Sequence, residues 1–167
     1  MAVVIRTACS DDWKPWSELR LAALKEAPDA FCSRLADWAD AEEALWRARL
    51  SLVGGVNMVA SVDGEDRGMV SGVPISDDPE SVELISMWVD PVARDRGVAQ
   101  ALIGELITWA SRSGFRLLQL SVRATNHPAI RLYERLGFRA TGRVDTVTLD
   151  GGRTSDEIRY GLDVSSC

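Results

Sequence analysis

The chain has 167 residues, 46% of them hydrophobic, with 19 basic and 25 acidic side chains and a formal net charge of −6. So large an apolar fraction excludes a disordered chain, and the length suits a single domain, 1–167, whose core needs no disulfides. The acidic balance disfavours nucleic-acid binding, which calls for a basic face, and mildly favours an amine-bearing partner.

Met1 to Ser10 lacks an apolar signal stretch, and no later run approaches membrane length, so the expectation is a cytoplasmic protein with no membrane partner. Val3 to Thr7 reads as a first strand. Ser10, Asp11 and Asp12 start a helix with acids at its positive end; Leu19, Ala22, Ala23 and Leu24 form its apolar face, and it stops before Pro28. A second helix is expected from about Trp38 to Leu50, broken by Gly54-Gly55. Val56 to Val62 reads as a strand, turned by Asp63 to Asp66 into a hairpin with Gly68 to Val73. Pro74 to Glu80 reads as a loop. Val82 to Val89, polar only at Glu83 and Ser86, reads as a strand buried on both faces.

A long helix from Val98 to about Arg112 follows, with Gln100, Gly104, Thr108 and Ser111 on a narrow stripe opposite a broad apolar face. Gly114 ends it. Arg116 to Val122 is the next strand. Pro128 suits a helix first turn, and that helix ends at Leu136-Gly137. Phe138 to Leu149 and Ile158 to Leu162 read as last strands around Asp150-Gly151-Gly152. The strand–helix–strand crossover from Val82 to Val122 requires a parallel pair within a mixed sheet. Cys9, Cys32 and Cys167 are odd in number and far apart, and the lone His127 has no ligand spacing with them, so neither a disulfide framework nor a metal site is expected.

Arg94-Asp95-Arg96-Gly97-Val98-Ala99 stands between a strand and a helix. A turn there gathers unpaired N–H groups at the positive end of a helix dipole, which suits a phosphate; Gly97 and Ala99 permit close approach and the arginines add charge. An ordinary strand-to-helix turn would look similar. The Lys-Ser/Thr end of a P-loop and the G-x-G-x-x-G of a dinucleotide fold are both missing. Arg94-x-x-Gly97-x-Ala99 does resemble the acyl-CoA pyrophosphate loop of the GNAT superfamily of N-acetyltransferases. A second segment, Asn126 to Phe138, resembles that family's N-x-x-A-x-x-x-Y-x-x-x-G-F helix. Asn126, Ala129, Ile130 and Tyr133 lie three or four apart and share one face. The two motifs cover about 82 to 139, and the order of elements agrees with the GNAT fold: a mixed α/β architecture with a mostly antiparallel sheet of about seven strands and about four helices.

The resemblance implies acetyl-CoA as acyl donor. Backbone of Met87, Trp88 and Val89 would bond the pantetheine arm, and one of its amides would face the thioester oxygen. Arg94 and the amides of Arg96, Gly97, Val98, Ala99 and Gln100 would hold the pyrophosphate, while Asn126, Ala129 and Tyr133 would line the channel. Tyr133 would protonate the departing thiolate. Glu83 is the candidate base, by likeness to the glutamate of the histone-acetylating branch; water alone, or a rim-exposed Glu83, is the competing reading. His127 reads as an exposed or capping residue rather than a base, and Phe31 and Trp38 are candidates for acceptor contact beside an ordinary core role. The implied function is acetyl transfer to a primary amine of a small molecule or peptide, by direct attack in a ternary complex, with a homodimer as a possible assembly. The runner-up is a non-catalytic acyl-CoA sensor, which would not need the Tyr133 phenol.

Overall fold

The computed structural model describes residues 1–31 and 33–166. Cys32 and Cys167, two of the cysteines weighed above, lie outside the described residues. The strands are β1 (Val3–Thr7), β2 (Val56–Val62), β3 (Glu65–Ile75), β4 (Asp78–Val89), β5 (Leu117–Arg123), β6 (Arg139–Thr148) and β7 (Thr154–Asp163). The helices are α1 (Trp13–Glu26), α2 (Leu35–Trp38), α3 (Glu43–Leu50), α4 (Val98–Arg112) and α5 (His127–Arg135). One sheet holds all seven strands in the order β1-β2-β3-β4-β5-β7-β6. Every neighbouring pair is antiparallel except β4 and β5, the parallel pair that the α4 crossover requires.

Alternation along the strands divides the core into two layers. Met58, Ala60 and Val62 point to the side packed by α4 and α5, in one cluster with Leu102, Leu106, Tyr133 and Phe138. Val59, Met69 and Trp88 point to the other side, against Trp16, Leu19 and Ala23 of α1 and Trp46 and Leu50 of α3.

The helix expected over 38–50 is divided. Leu35–Trp38 and Glu43–Leu50 are separate, because the chain turns at 39–42 to bring the Trp38 ring onto Trp46, with centroids 4.7 Å apart. The Trp46 indole N–H donates to the Ala41 carbonyl at 3.2 Å, which fixes the turn. The start of the first helix is also modified: Ser10–Asp12 is a 3₁₀ turn, and the Asp12 carboxylate accepts from the Cys9 amide at 2.9 Å. The loop expected over 74–80 shrinks to a tight turn, because β3 runs on to Ile75 and β4 begins at Asp78. Pro74 is tolerated because β2 pairs with β3 only as far as Gly72, so no ladder donor is needed on that side.

Gly72 sits where α4 presses on β3. A Cβ there would lie 2.8 Å from Leu106 Cδ1 and 3.0 Å from Trp109 Cζ3. Gly72→Ala is therefore expected to lower the unfolding free energy by about 1–3 kcal/mol through overpacking. A urea titration measures it, and an unchanged midpoint would show that α4 yields at no cost.

Candidate active site

Strands β4 and β5 are paired only at Ser81–Leu117, Val82–Leu118 and Glu83–Gln119. Beyond that rung they part. Arg159 of β7 staples the last rung: its Nε donates to Gln119 Oε1 at 2.9 Å, its Nη1 to Ser121 Oγ at 3.1 Å and its Nη2 to Glu83 Oε2 at 2.9 Å. Glu83 is thus half-buried and ion-paired at the closed end of the gap, not a solitary carboxylate.

The opening coincides with a bulge in β4. Met69 pairs with Trp88 while Ser71 pairs with Ile85, so β4 holds one residue more than β3 over that span. Ser86 lies within it in the left-handed region, at φ +56°. The bulge rotates the strand, and the edge of β4 that faces β5 is left with backbone groups that no strand pairs.

A cleft of about 860 Å³ lies at the gap and is lined by residues from both faces of the sheet. On one side it is lined by Ala93, Val98, Ala99, Ala129, Leu132 and Tyr133. On the other it is lined by Arg20, Glu26, Phe31, Glu83, Arg123 and Glu157.

The turn into α4 faces the first mouth. Asp95 and Gly97 both have positive φ, at +60° and +77°. Gly97 is the residue before the first helical turn, and the Ala101 amide is the first to bond back to it, at 3.0 Å. The amides of Val98, Ala99 and Gln100 therefore stand without intrahelical partners at the positive end of a helix fifteen residues long. A Cβ on Gly97 would meet nothing within 4 Å, so the space above the turn is open. Arg94 is spent differently from the charge-supplying role expected. Its Nε donates to the Val89 carbonyl at 3.0 Å and its Nη2 to Glu26 Oε2 at 2.8 Å. The same Glu26 oxygen accepts from the Trp88 indole at 2.9 Å. The Arg94 guanidinium first, and the indole second, hold the Glu26 carboxyl below its usual pKa. The arrangement ties the end of α1 to the end of β4. Arg96 is exposed and stays outside the cleft lining.

Tyr133 comes up from α5 and is 7% exposed. Its ring packs edge-on against Phe138, 5.7 Å between centroids, and burial pushes the phenol up to about 12. Ala129, one turn earlier, is a small cleft-lining residue. Asn126 caps α5, its Oδ1 accepting from the Ala129 amide at 3.3 Å. Met87, Trp88 and Val89 line the cleft from β4. His127 is exposed outside the lining, and Trp38 is engaged with Trp46, whereas Phe31 does line the cleft.

Sequence reasoning missed Arg20, Glu26, Arg123 and Glu157. Arg123 is 9% exposed, its Nε donates to the Asp29 carbonyl at 2.8 Å, and its Nη1 lies 3.2 Å from Glu157 in an ion contact without hydrogen-bond alignment. Arg20 lies over the Phe31 ring, 4.7 Å from its centroid. These partners are distant in sequence and carry no local pattern. Among the described residues no group of three or more His, Cys, Asp or Glu is placed to hold a metal ion, and no helix is long and apolar enough to cross a membrane.

A parted parallel pair, a bulge at the split and an open helix N-terminus thus come together on one cleft. The chain belongs to the Acetyltransferase (GNAT) family, whose model matches residues 13–138. It is 33% identical over 120 residues to N-acetylaspartate synthetase of Danio rerio, a match covering 72% of this chain but 41% of that longer protein. It is 26% identical over 159 residues to the L-amino acid N-acetyltransferase AaaT of Escherichia coli, covering 92% of this chain and 93% of that one. A putative acetyltransferase of Salmonella typhimurium, solved with its cofactor acetyl-CoA, superposes with a TM-score of 0.81 at 25% identity, covering 100% of this chain and 96% of the other.

The left-handed turn gives a test of the anion site. Gly97→Asn keeps a residue that tolerates positive φ but adds a side chain above the amides. Acetyl-CoA affinity is expected to fall at least about tenfold while the melting temperature shifts by only a few degrees. Calorimetry and thermal unfolding on the same sample measure the two; losses that track each other would mark Gly97 as structural.

Proposed function

We propose that this chain transfers the acetyl group of acetyl-CoA to the primary amine of a small-molecule or peptide acceptor, by direct attack within a ternary complex. One observation carries the reading: the open α4 turn, the parted edge of β4 and Tyr133 all line a single cleft to which both faces of the sheet contribute residues.

The donor lies on the α4–α5 side. Amides from Arg96 to Gln100 hold its pyrophosphate, while the backbone of Met87 to Val89 bonds the pantetheine arm and presents an N–H to the thioester oxygen. The amine enters past Phe31. Its lone pair attacks the thioester carbonyl, and the negative charge gathers on the oxygen facing β4. When the C–S bond breaks, Tyr133 donates to the departing sulfur. The nitrogen loses its proton to water, or through water to Glu83. Arg159 occupies Oε2 of Glu83, which leaves Oε1 for such a water.

The acceptor side carries the Arg20 and Arg123 guanidiniums, each more than nine-tenths buried. Two relatives are named for acetylation of amino acids or of aspartate, acceptors in which a carboxylate neighbours the amine. An amino acid is therefore the acceptor class we test first. Thiol release from acetyl-CoA should appear with some L-amino acids and fail with the matching decarboxylated amines. Turnover on the amines alone would remove the carboxylate from recognition.

The sensor alternative is not favoured, because a buried phenol beside the thioester site serves no purpose in simple binding. Tyr133→Phe is expected to lower kcat by roughly ten- to a thousandfold, with acetyl-CoA affinity within a few fold. Because burial raises the phenol to about 12, its proton is retained at every ordinary pH. The rate should rise with pH as the amine is deprotonated and should show no alkaline fall below about pH 11 from this group. Unchanged turnover of Tyr133→Phe, where chemistry limits the rate, would take Tyr133 out of the reaction.

A further inference from the structure

Beneath the β4 bulge, on the α1–α3 side, lies a buried polar row that the reaction above does not use. Asn57 of β2, Ser71 of β3 and Ser86 of β4 follow one another across three neighbouring strands, and Asn57 pairs directly with Ser71 in the ladder. They are 2%, 0% and 8% exposed. Arg49 of α3 lies across all three. Its Nη1 donates to Asn57 Oδ1 at 2.8 Å; its Nη2 donates to Ser71 Oγ at 3.1 Å and reaches Ser86 Oγ at 3.4 Å. Ser71 Oγ also donates to Asn57 Oδ1, at 2.7 Å, and Asn57 Nδ2 to the Leu50 carbonyl, at 3.4 Å. The guanidinium carbon stands 5.4 Å from the centre of the Trp16 ring.

Among the described residues no carboxylate pairs with Arg49. Burial lowers its pKa from the ordinary arginine value, with no opposing charge to offset the desolvation. A cation held by neutral oxygens alone is costly inside a protein. An apolar side chain would fill the space beside Trp16 and Leu50 at lower cost, so packing does not account for the arginine. Its place does. The row ends on Ser86, the residue whose φ of +56° marks the bulge, and a non-glycine residue keeps that conformation only when its surroundings enforce it.

Resting on the acetyl-transfer reading, we propose that Arg49 is a positioning residue for that reaction. It holds β4 in its bulged form through Ser86, so that the backbone of Met87 to Val89 faces the thioester. Arg49 itself stays outside the cleft lining, whereas Ser86 is part of it. The guanidinium's fork spans three acceptors, which a lysine ammonium on a thinner stem cannot do at once.

Arg49→Lys and Arg49→Met test this. Both should fold, the methionine variant because it replaces a buried charge with apolar bulk. Each should lower kcat at least about tenfold while the acceptor KM moves less than about threefold. Amide hydrogen exchange at residues 85–88 should accelerate in both, with the remainder of β3 and β4 staying protected. In a Ser86→Ala background the further loss from Arg49→Lys should shrink to less than about twofold, because the two residues act as one unit. Unchanged exchange at the bulge, unchanged kcat, or kcat losses that multiply in the double variant would each overturn the proposal. The exchange measurement needs no turnover, so it decides the hold of Arg49 on the bulge even if acetyl transfer itself were disproved by a wild-type protein inactive on every amine.

Discussion

Everything in this molecule that bears on chemistry depends on the parting of β4 from β5 after one short stretch of parallel pairing. A sheet that opens in its middle exposes N–H and C=O groups that ordinarily satisfy each other. Left buried and unpaired, each such group costs about 1–3 kcal/mol. The gap must therefore hold water or a ligand with its own amide-like groups, and a pantetheine arm carries two amides. The opening has structural causes on both sides. β5 keeps its full antiparallel ladder with β7, from Leu117–Asp163 to Arg123–Glu157, and follows that partner away. β4 keeps its ladder with β3 but takes up an extra residue at the bulge, which twists its free edge toward the cleft. The Arg159 staple fixes where the separation begins.

In the proposed reaction, a cleft lined from both faces of the sheet also keeps the two substrates apart. The α4–α5 side offers open amides and small residues, suited to a phosphorylated, slender donor. The α1 side offers a rim held by charge: Arg123 donates to the carbonyl of Asp29, and Arg153 lies 3.3 Å from the carboxylate of the same residue. The ion pair with Arg153 is exposed and contributes little by itself. The buried bond from Arg123 has less competition from water and carries more of the task of keeping the segment before Phe31 over the cleft. Donor and acceptor can then bind without crossing one another, which direct attack requires.

The elements that form the candidate donor side were legible in the sequence because they are local. Strand, turn and helix follow without interruption from Val82 to Arg112, and Gly97 is the residue that the left-handed turn demands. Tyr133 and Ala129 lie one helical turn apart in a segment with its own cap and stop. The candidate acceptor side was not legible. Arg20, Glu26, Arg123 and Glu157 come from α1, β5 and β7, and nothing in their spacing shows that the fold gathers them. The bulge left one trace, a serine within an apolar strand. Its partner Arg49 left another: an arginine between Trp46 and Leu50, both buried, on a short helix that the sequence reading had merged with α2. Each trace is ordinary alone. Only the strand order places them together, and strand order is set by long-range pairing that periodicity does not encode.

Burial of Tyr133 carries a trade-off that shapes its part in the proposed reaction. A phenol raised to about 12 is neutral at pH 7, so a proton is always present to donate. It is also a weaker acid than the coenzyme thiol, whose unperturbed value lies near 8–9. Complete transfer to the thiolate would run uphill by roughly 3 pKa steps, about 4 kcal/mol. The same burial that makes full transfer unfavourable makes a hydrogen bond to developing negative charge strong, since little water competes for it. The phenol is therefore best suited to hold its proton and share it with the sulfur as the C–S bond breaks, leaving the thiolate to take its final proton from solvent as it departs. This ordering needs no tyrosinate to be reprotonated in a buried site between turnovers. It also explains how a side chain packed against Phe138, with so little exposure, can act repeatedly without an attached proton relay.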